Sequence, residues 1–365
     1  MQLENVILTT DNCRYCLMCR HVCPVGHVTQ KETLTPHGWG LTIASVRRGL
    51  LSWNDESVEV LYSCADCGTC RSHCVTDQPL PEAIAAARAE VTAAGLAPEA
   101  AYALNRQLEA WGNAYVESPP TAPQGQGTAA LFAGDEAAYL GPAALESAVR
   151  LLRCAGIEPA LVGIGRNSGY LASALGFPET AAALARATLE ELRQVGAGRL
   201  LVLTPGDFFT FTQLYPERLG IDTLSGFEVQ EVVPLLAEAA AAGRLQLKQA
   251  DESLPYAYID PTHSVRVKGR YDAPRALLGA VLPGECKELF WRRERAHPAG
   301  NTALQFLNPA LAAKLNHARL EDARESGAEL LVSEDPGVVK ALREQAGSFG
   351  MQVQGLYELL ARQLA

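Results

Sequence analysis

Eight cysteines repeat one spacing twice, Cys13-x2-Cys16-x2-Cys19-x3-Cys23 and Cys64-x2-Cys67-x2-Cys70-x3-Cys74, with Pro24 after the first run and Val75 after the second. Three thiols at two-residue intervals confine the backbone to a tight loop around one point. The fourth, displaced onto the next turn of chain, points elsewhere. A disulfide framework belongs to oxidising compartments. Here the opening Met1-Gln2-Leu3-Glu4-Asn5 lacks the basic flank and apolar block of a secretion signal, and no window gives 18 uninterrupted apolar residues. The expected location is the cytoplasm, or the inner face of the membrane through a partner, where thiols stay reduced and are free to hold metal.

The spacing is that of bacterial ferredoxins, in which the first three cysteines of a run cap one [4Fe-4S] cube and the fourth ligates the other cube. Cluster one is accordingly assigned to Cys13, Cys16, Cys19 and Cys74, and cluster two to Cys64, Cys67, Cys70 and Cys23. Structural zinc also takes four thiolates, but it needs only two cysteines per loop and leaves the third unexplained. Arg14, Arg20, His21, Arg71 and His73 lie in or beside the runs and are candidates for tuning the potentials, or ordinary solvated loop charges. Helical apolar spacing over Leu41 to Leu51, Leu80 to Val91 and Pro98 to Val116 makes residues 1–116 an α-helical ferredoxin domain.

Glu117 to Gly127 is rich in Pro and Gly and reads as a linker over 117–127. Beyond it, apolar runs alternate with helix-length segments. Strands are expected at Thr128 to Ala133, Pro159 to Val162, Leu200 to Leu203, Phe227 to Val232, Tyr256 to Ile259, Glu288 to Trp291, Glu329 to Val332 and Met351 to Gln354. Continuous apolar strands separated by helices indicate parallel sheets covered on both faces, so residues 128–365 should form an α/β domain of Rossmann-like units. Leu189-Glu190, Gly196-Ala197 and Pro205-Gly206 recur 131 residues later as Leu320-Glu321, Gly327-Ala328 and Pro336-Gly337, which points to two repeats. With 31 Lys and Arg against 41 Asp and Glu, the net charge of −10 disfavours nucleic acid as a partner.

The two runs, Pro36-His37-Gly38, the segment Asp260-Pro261-Thr262-His263-Ser264-Val265-Arg266 and Ala273-Pro274-Arg275 together resemble iron-sulfur subunits of the heterodisulfide reductase and glycolate oxidase type, which include the iron-sulfur subunit of anaerobic glycerol-3-phosphate dehydrogenase. The resemblance implies an N-terminal dicluster domain joined to a duplicated cysteine-rich domain, and a role as an electron-transfer subunit. Electrons would pass singly from a flavoprotein of the FAD-linked dehydrogenase kind, through both clusters, to a further carrier or a quinone. FAD or FMN is expected only in that partner. The family's second set of cysteines is replaced here by Asp135, Arg166-Asn167, Thr204, Asp207, Thr262, Pro298-Ala299, Asp335 and Val338. Only Cys154 and Cys286 remain in this half, so no cluster or zinc is expected there.

Both are expected to be buried small apolar residues; as a redox pair they would need Cα atoms within about 7 Å. No catalytic residue is nominated. The rival expectation is a quinone or disulfide reductase with its site in the C-terminal domain. Asp207, Asp260 and His263, near strand ends, are candidates for a small-ligand or metal site. Gly163 to Gly169 lacks the dinucleotide fingerprint, and Arg292, Arg293 and Arg295 are expected to be solvated.

Overall fold

The computed structural model describes residues 9–222, 226–267 and 269–365. Its N-terminal part is helical, and the caps rather than the apolar spacing set the ends. Thr35 accepts a hydrogen bond from the Gly38 N–H and Pro36 takes the first turn, so that helix runs Pro36–Arg47 and starts ahead of the expected Leu41. Gly38 is obligatory: a Cβ there would lie 2.5 Å from the Thr33 carbonyl oxygen. Asn54 and Ser57 form a capping box for Asp55–Tyr62. Leu80–Ala93 and Glu99–Trp111 follow, the latter stopped short of Val116 by Gly112 in the left-handed region (φ 67°).

Eight strands form two sheets of one topology. β1 (Ala129–Phe132), β2 (Ala160–Val162), β3 (Arg199–Val202) and β4 (Glu228–Glu231) lie in the order β2-β1-β3-β4. β5 (Tyr256–Tyr258), β6 (Cys286–Lys287), β7 (Leu330–Ser333) and β8 (Gln352–Gly355) lie in the order β6-β5-β7-β8. All pairings are parallel. Parallel strands buried on both faces need apolar side chains in both directions, as Ala129-Ala130-Leu131-Phe132 and Leu330-Leu331-Val332 provide.

One face of each sheet contributes to a common core with helices Pro142–Cys154, Val232–Ala241, Asp272–Val281 and Leu356–Arg362; Leu131, Leu201, Tyr258 and Val332 meet Leu151, Leu236, Leu278 and Leu360 there. The opposite faces have separate cores, with Leu189 and Phe211 on the first sheet and Leu320 and Leu342 on the second.

The duplication is a steric and hydrogen-bonding repeat as well as a topological one. A Cβ on Gly169 would meet the carbonyl oxygen of Ala181 at 2.7 Å, and one on Gly300 that of Ala312 at 2.4 Å; both pairs are offset by 131 residues. The acceptors Glu191 and Asp322 keep the same offset, Glu191 taking the Gly163 N–H and Asp322 the Phe290 and Trp291 N–H groups of the corresponding loop. The side chains of Thr204 and Asp335 both cap the helix after the third strand of their repeat.

The β6 expectation is corrected by this bonding. Glu288 to Trp291 is apolar enough to read as a strand, but Asp322 takes the backbone donors of Phe290 and Trp291, leaving only Cys286–Lys287 paired to β5.

The helical part shares a core with both repeats, including Leu171, Leu175 and Leu184 from the first and Leu304, Leu311 and Leu315 from the second. Arg88, 1% exposed, crosses this boundary by donating to the carbonyls of Leu61, Cys64 and Ala174. Tyr62 donates to Leu175 O at 2.9 Å. The Pro/Gly-rich stretch is strapped onto the body by antiparallel bridges from Thr121 to Ile164 and from Gln124 to Leu161. Among the described residues, no helix is long and apolar enough to cross a membrane.

Candidate iron-sulfur centre and the cavity behind it

The two cysteine loops have one backbone. Tyr15 (φ 53°) and Leu17 (φ 61°) are left-handed in the first, as are their counterparts 51 residues on, Asp66 (φ 49°) and Gly68 (φ 83°), in the second. In each loop the N–H two residues after the first cysteine donates to its sulfur, Tyr15 to Cys13 and Asp66 to Cys64, at 3.5 and 3.3 Å.

Cys13, Cys16, Cys19 and Cys74 line one cavity together with Leu17, His37 and Leu41, and Cys70 reaches its wall. Burial pushes the Cys19 thiol up to about 11, with further rises from Cys13, Cys74 and Cys16. Burial likewise raises Cys23, which feels Cys67 and Cys64, and raises Cys70, which feels Cys67, Cys64, Cys23 and, more weakly, Cys19. Thus the fourth cysteine of each run stands with the first three of the other, and the two sets adjoin at Cys19 and Cys70. Burial lifts Cys64 to about 12, partly countered by Arg88. Such thiols are poor anions unless a metal takes up their charge.

Structural zinc needs two cysteines per loop, whereas a four-iron cube takes three from one loop and a fourth from elsewhere; Cys74 lining one cavity with Cys13, Cys16 and Cys19 fits the cube.

The loops differ in cover. Cys16 is exposed, whereas every residue from Leu61 to Cys70 is buried. Arg266 donates to the backbone oxygen and Oδ1 of Asp66 at 2.6 and 2.7 Å and lies so close to Gly68 that a Cβ there would meet its Nε at 2.6 Å. Thr69 donates to Ala296 O at 3.3 Å. Although burial alone would raise the Asp66 carboxyl, Arg266, Arg218 and their neighbours hold it down at about 2.

From Asp66 a hydrogen-bonded chain leads into the body. Tyr170 donates its hydroxyl hydrogen to Asp66 Oδ2 (2.8 Å), so Nε2 of His263 donates to the tyrosine oxygen (3.0 Å). Burial, with Arg266 nearby, depresses His263 to about 3 and keeps it neutral.

His263 and Tyr170 line a cavity at the carboxyl ends of both sheets, where Asp135, Asn167, Thr204, Asp207, Thr262 and Asp335, six of the residues expected to stand in place of cysteines, gather. Asn167 donates to Asp135 at 3.0 Å, Thr204 to Asp207 at 3.0 Å, Thr262 to Asn301 at 3.1 Å and Asn301 to Asp335 at 3.3 Å. Burial raises Asp135 to about 6 and Asp207 to about 7. It also lifts Glu136 well above the carboxylate range, helped by Asp335, Asp135 and Asp207, while Tyr115 donates to that carboxylate at 3.2 Å.

Of the three residues nominated as a small-ligand site, Asp207 and His263 meet here and Asp260 does not. Its carboxylate is taken by Arg275 at 3.1 and 2.9 Å and by the Arg293 N–H, which also explains why the Asp260 and Arg275 segments go together. Ala299 packs into the outer core of the second sheet, and the cavity-lining residue of that loop is Asn301. Cys154 and Cys286 are exposed, contrary to the expectation that they are buried: Cys154 ends the solvent side of its helix after the buried Leu151 and Leu152, and Cys286 lies on an edge strand. The arginines after β6 are engaged within the chain, Arg292 with Glu288, Arg293 with Asp272 and Arg295 over the Phe290 ring.

Residues 9–78 match the family described as the 4Fe-4S dicluster domain. Over 330 residues the chain is 25% identical to one polypeptide of the dihydromethanophenazine:CoB–CoM heterodisulfide reductase of Methanosarcina barkeri, covering 85% of this chain and 79% of that protein. It is 26% identical over 229 residues to a probable membrane-anchored ferredoxin of Chromohalobacter salexigens, covering 60% and 33%. A crystal structure of a hypothetical protein from Helicobacter pylori superposes with a TM-score of 0.62 at 12% identity, over 92% of this chain and 70% of that one, and shares the fold.

The chain is therefore an iron-sulfur electron-transfer protein whose dicluster domain, with eight cysteines between residues 13 and 74, implies two [4Fe-4S] clusters. More particularly, it is a distant homologue of that heterodisulfide reductase polypeptide, which it also matches in Methanosarcina mazei.

Proposed function

We propose that the chain is the electron-relay subunit of a larger oxidoreductase, taking single electrons from a flavoprotein dehydrogenase and passing them to a downstream acceptor. When bound, a [4Fe-4S] cluster accepts and releases one electron at a time, at a potential set by charge, hydrogen bonding and exposure. Cys13, Cys16, Cys19 and Cys74 would hold one, and Cys64, Cys67, Cys70 and Cys23 the other. The observation that carries the reading is the pairing of a half-buried thiol set, exposed at Cys16, with a buried one that adjoins it at Cys19 and Cys70.

The residues of the buried set keep water away and fix local charge. Arg88 and Arg266 bring guanidinium groups to the second loop, while Asp66, Tyr170 and Thr69 spend their hydrogen bonds on holding its shape. The cavity behind them speaks against the rival reductase. Its lining has no cysteine thiol for disulfide exchange, and its carboxylates are ill suited to an apolar quinone ring. On this reading the C-terminal region is a docking body without a third cluster. The flavin belongs to the partner.

The test is spectroscopic. Anoxically purified protein should carry about eight irons and eight sulfides per chain. Cys74→Ser should perturb the electron paramagnetic resonance of the cluster held by the first loop, and Cys23→Ser that of the second. Each substitution perturbing its own loop's signal would overturn the crossed assignment.

A further inference from the structure

Loops of one backbone should need the same cover, and only one has it. In the second loop, Arg266 and Tyr170 close over Asp66, Arg266 also lies on Gly68, and Thr69 is buried against the Ala296 carbonyl. At the same three positions the first loop has Tyr15, Leu17 and Met18. Tyr15 is 56% exposed and Met18 48%.

Val75, beside Cys74, is 74% exposed, and Leu41, in the wall of the same cavity, 40%. These four are a majority of the seven large apolar residues exposed among the described ones; Tyr15 and Leu41 line the cavity of one thiol set, and in the chain Met18 directly precedes Cys19 and Val75 directly follows Cys74. At Leu17 the shared loop conformation puts a leucine in the left-handed region, at a cost of about 1–2 kcal/mol relative to the glycine that the second loop uses there, and its side chain lies in the cavity wall.

The charge around this rim differs from that of the chain. Between Thr9 and Leu50 there are five Lys and Arg and two acidic residues, in a protein of net charge −10. Asp11 is paired with Arg47 and Arg48 and Glu32 with Arg20, so three of the five cations share those pairs and the segment keeps an excess of three positive charges. Arg14, in the cavity wall, is exposed. Over a Debye length of about 10 Å an approaching surface senses these arginines more than the distant acids.

We infer that the rim formed by Tyr15, Leu17, Met18, Leu41 and Val75 is the docking face for the redox partner, and that the partner presents an apolar patch bordered by carboxylates. The inference rests on the relay reading and adds which side of the molecule the partner meets. Apolar contact at the centre excludes water between donor and acceptor, and the arginine border orients the encounter.

Flavodoxin, an acidic flavoprotein, serves as the probe. Its binding to the holoprotein is measured by anoxic biolayer interferometry, and electron exchange by stopped-flow absorbance. Met18→Asp and Val75→Asp should each weaken binding and slow exchange by about tenfold through like-charge repulsion at the rim. Phe290→Asp and Leu96→Asp, at exposed apolar sites elsewhere, should stay within about twofold. Raising salt from about 50 to about 500 mM should weaken wild-type binding through screening.

Absence of flavodoxin binding at low salt, equal losses at all four sites, or losses only at Phe290 or Leu96 would overturn the assignment. Iron content and the two resonance signals, recorded first on the same samples, distinguish failure of the relay reading from failure of this surface.

Discussion

Tyr15 and Asp66 occupy the same place in two loops of the same backbone, yet one side chain stands in solvent and the other is held by a guanidinium and a phenol. The difference does not come from the loops. It comes from Arg266 and Tyr170, which lie far along the chain and arrive only when the α/β body packs against the helical part. Cysteine spacing sets how a ligand loop turns, and tertiary contacts set whether water reaches it. For two centres of one chemical type this offers different surroundings, and so different potentials, without a change of ligand.

The largest test of that contrast removes the cover. Arg266→Ala should lower stability by about 3–5 kcal/mol, because it strips the main partner from the buried carboxylate of Asp66. Arg14→Ala, on the exposed loop, should stay within about 0.5 kcal/mol. Anoxic denaturant midpoints of the holoproteins measure both, and equal losses would break the asymmetry.

A smaller effect sharpens it from the covered side. Burial raises the Asp207 and Asp135 carboxyls, with Glu136 and Asp335 facing them, so the folded form binds protons that the unfolded chain releases. Their contribution is present in full below the ordinary carboxylate range and is lost as pH rises through about 6 for Asp135 and about 7 for Asp207. Melting temperature should therefore fall between pH 5 and 8, and Asp207→Asn should remove about 2–4 °C of that fall.

The smallest expected effect concerns Cys154 and Cys286. Replacing both by Ser should change the denaturant midpoint by under about 0.5 kcal/mol and leave iron content intact. In the loaded wild type these two thiols alone should react with a maleimide.

Much of this architecture was legible in the chain. The cysteine spacing announced the cluster loops because a ligand set is a local pattern, and seven strands fell within a residue or two of the segments read as strands, of which β4 and β8 mix polar with apolar residues. The 131-residue repeat reappears as the glycine contacts at Gly169 and Gly300. What escaped was nonlocal. β6 shifted because an aspartate 31 and 32 residues away captures two backbone donors. Glu136 and Tyr115 carried no signal of their cavity, since their meeting depends on how the helical part and the first repeat pack. Asp260 looked like a site residue by its position after a strand, but Arg275, in the first turn of a later helix, claims it.

The burial of every residue from Leu61 to Cys70 also sets an order of events. Once the segment carrying Arg266 and Ala296 has closed over this loop, Cys64 and Cys67 are screened from solvent, and Cys70 is approached from the cavity of the first loop. Loading of the second thiol set should therefore be slower in the closed fold than loading of the first, and an apoprotein reconstituted with iron and sulfide should gain the first loop's resonance signal before the second's.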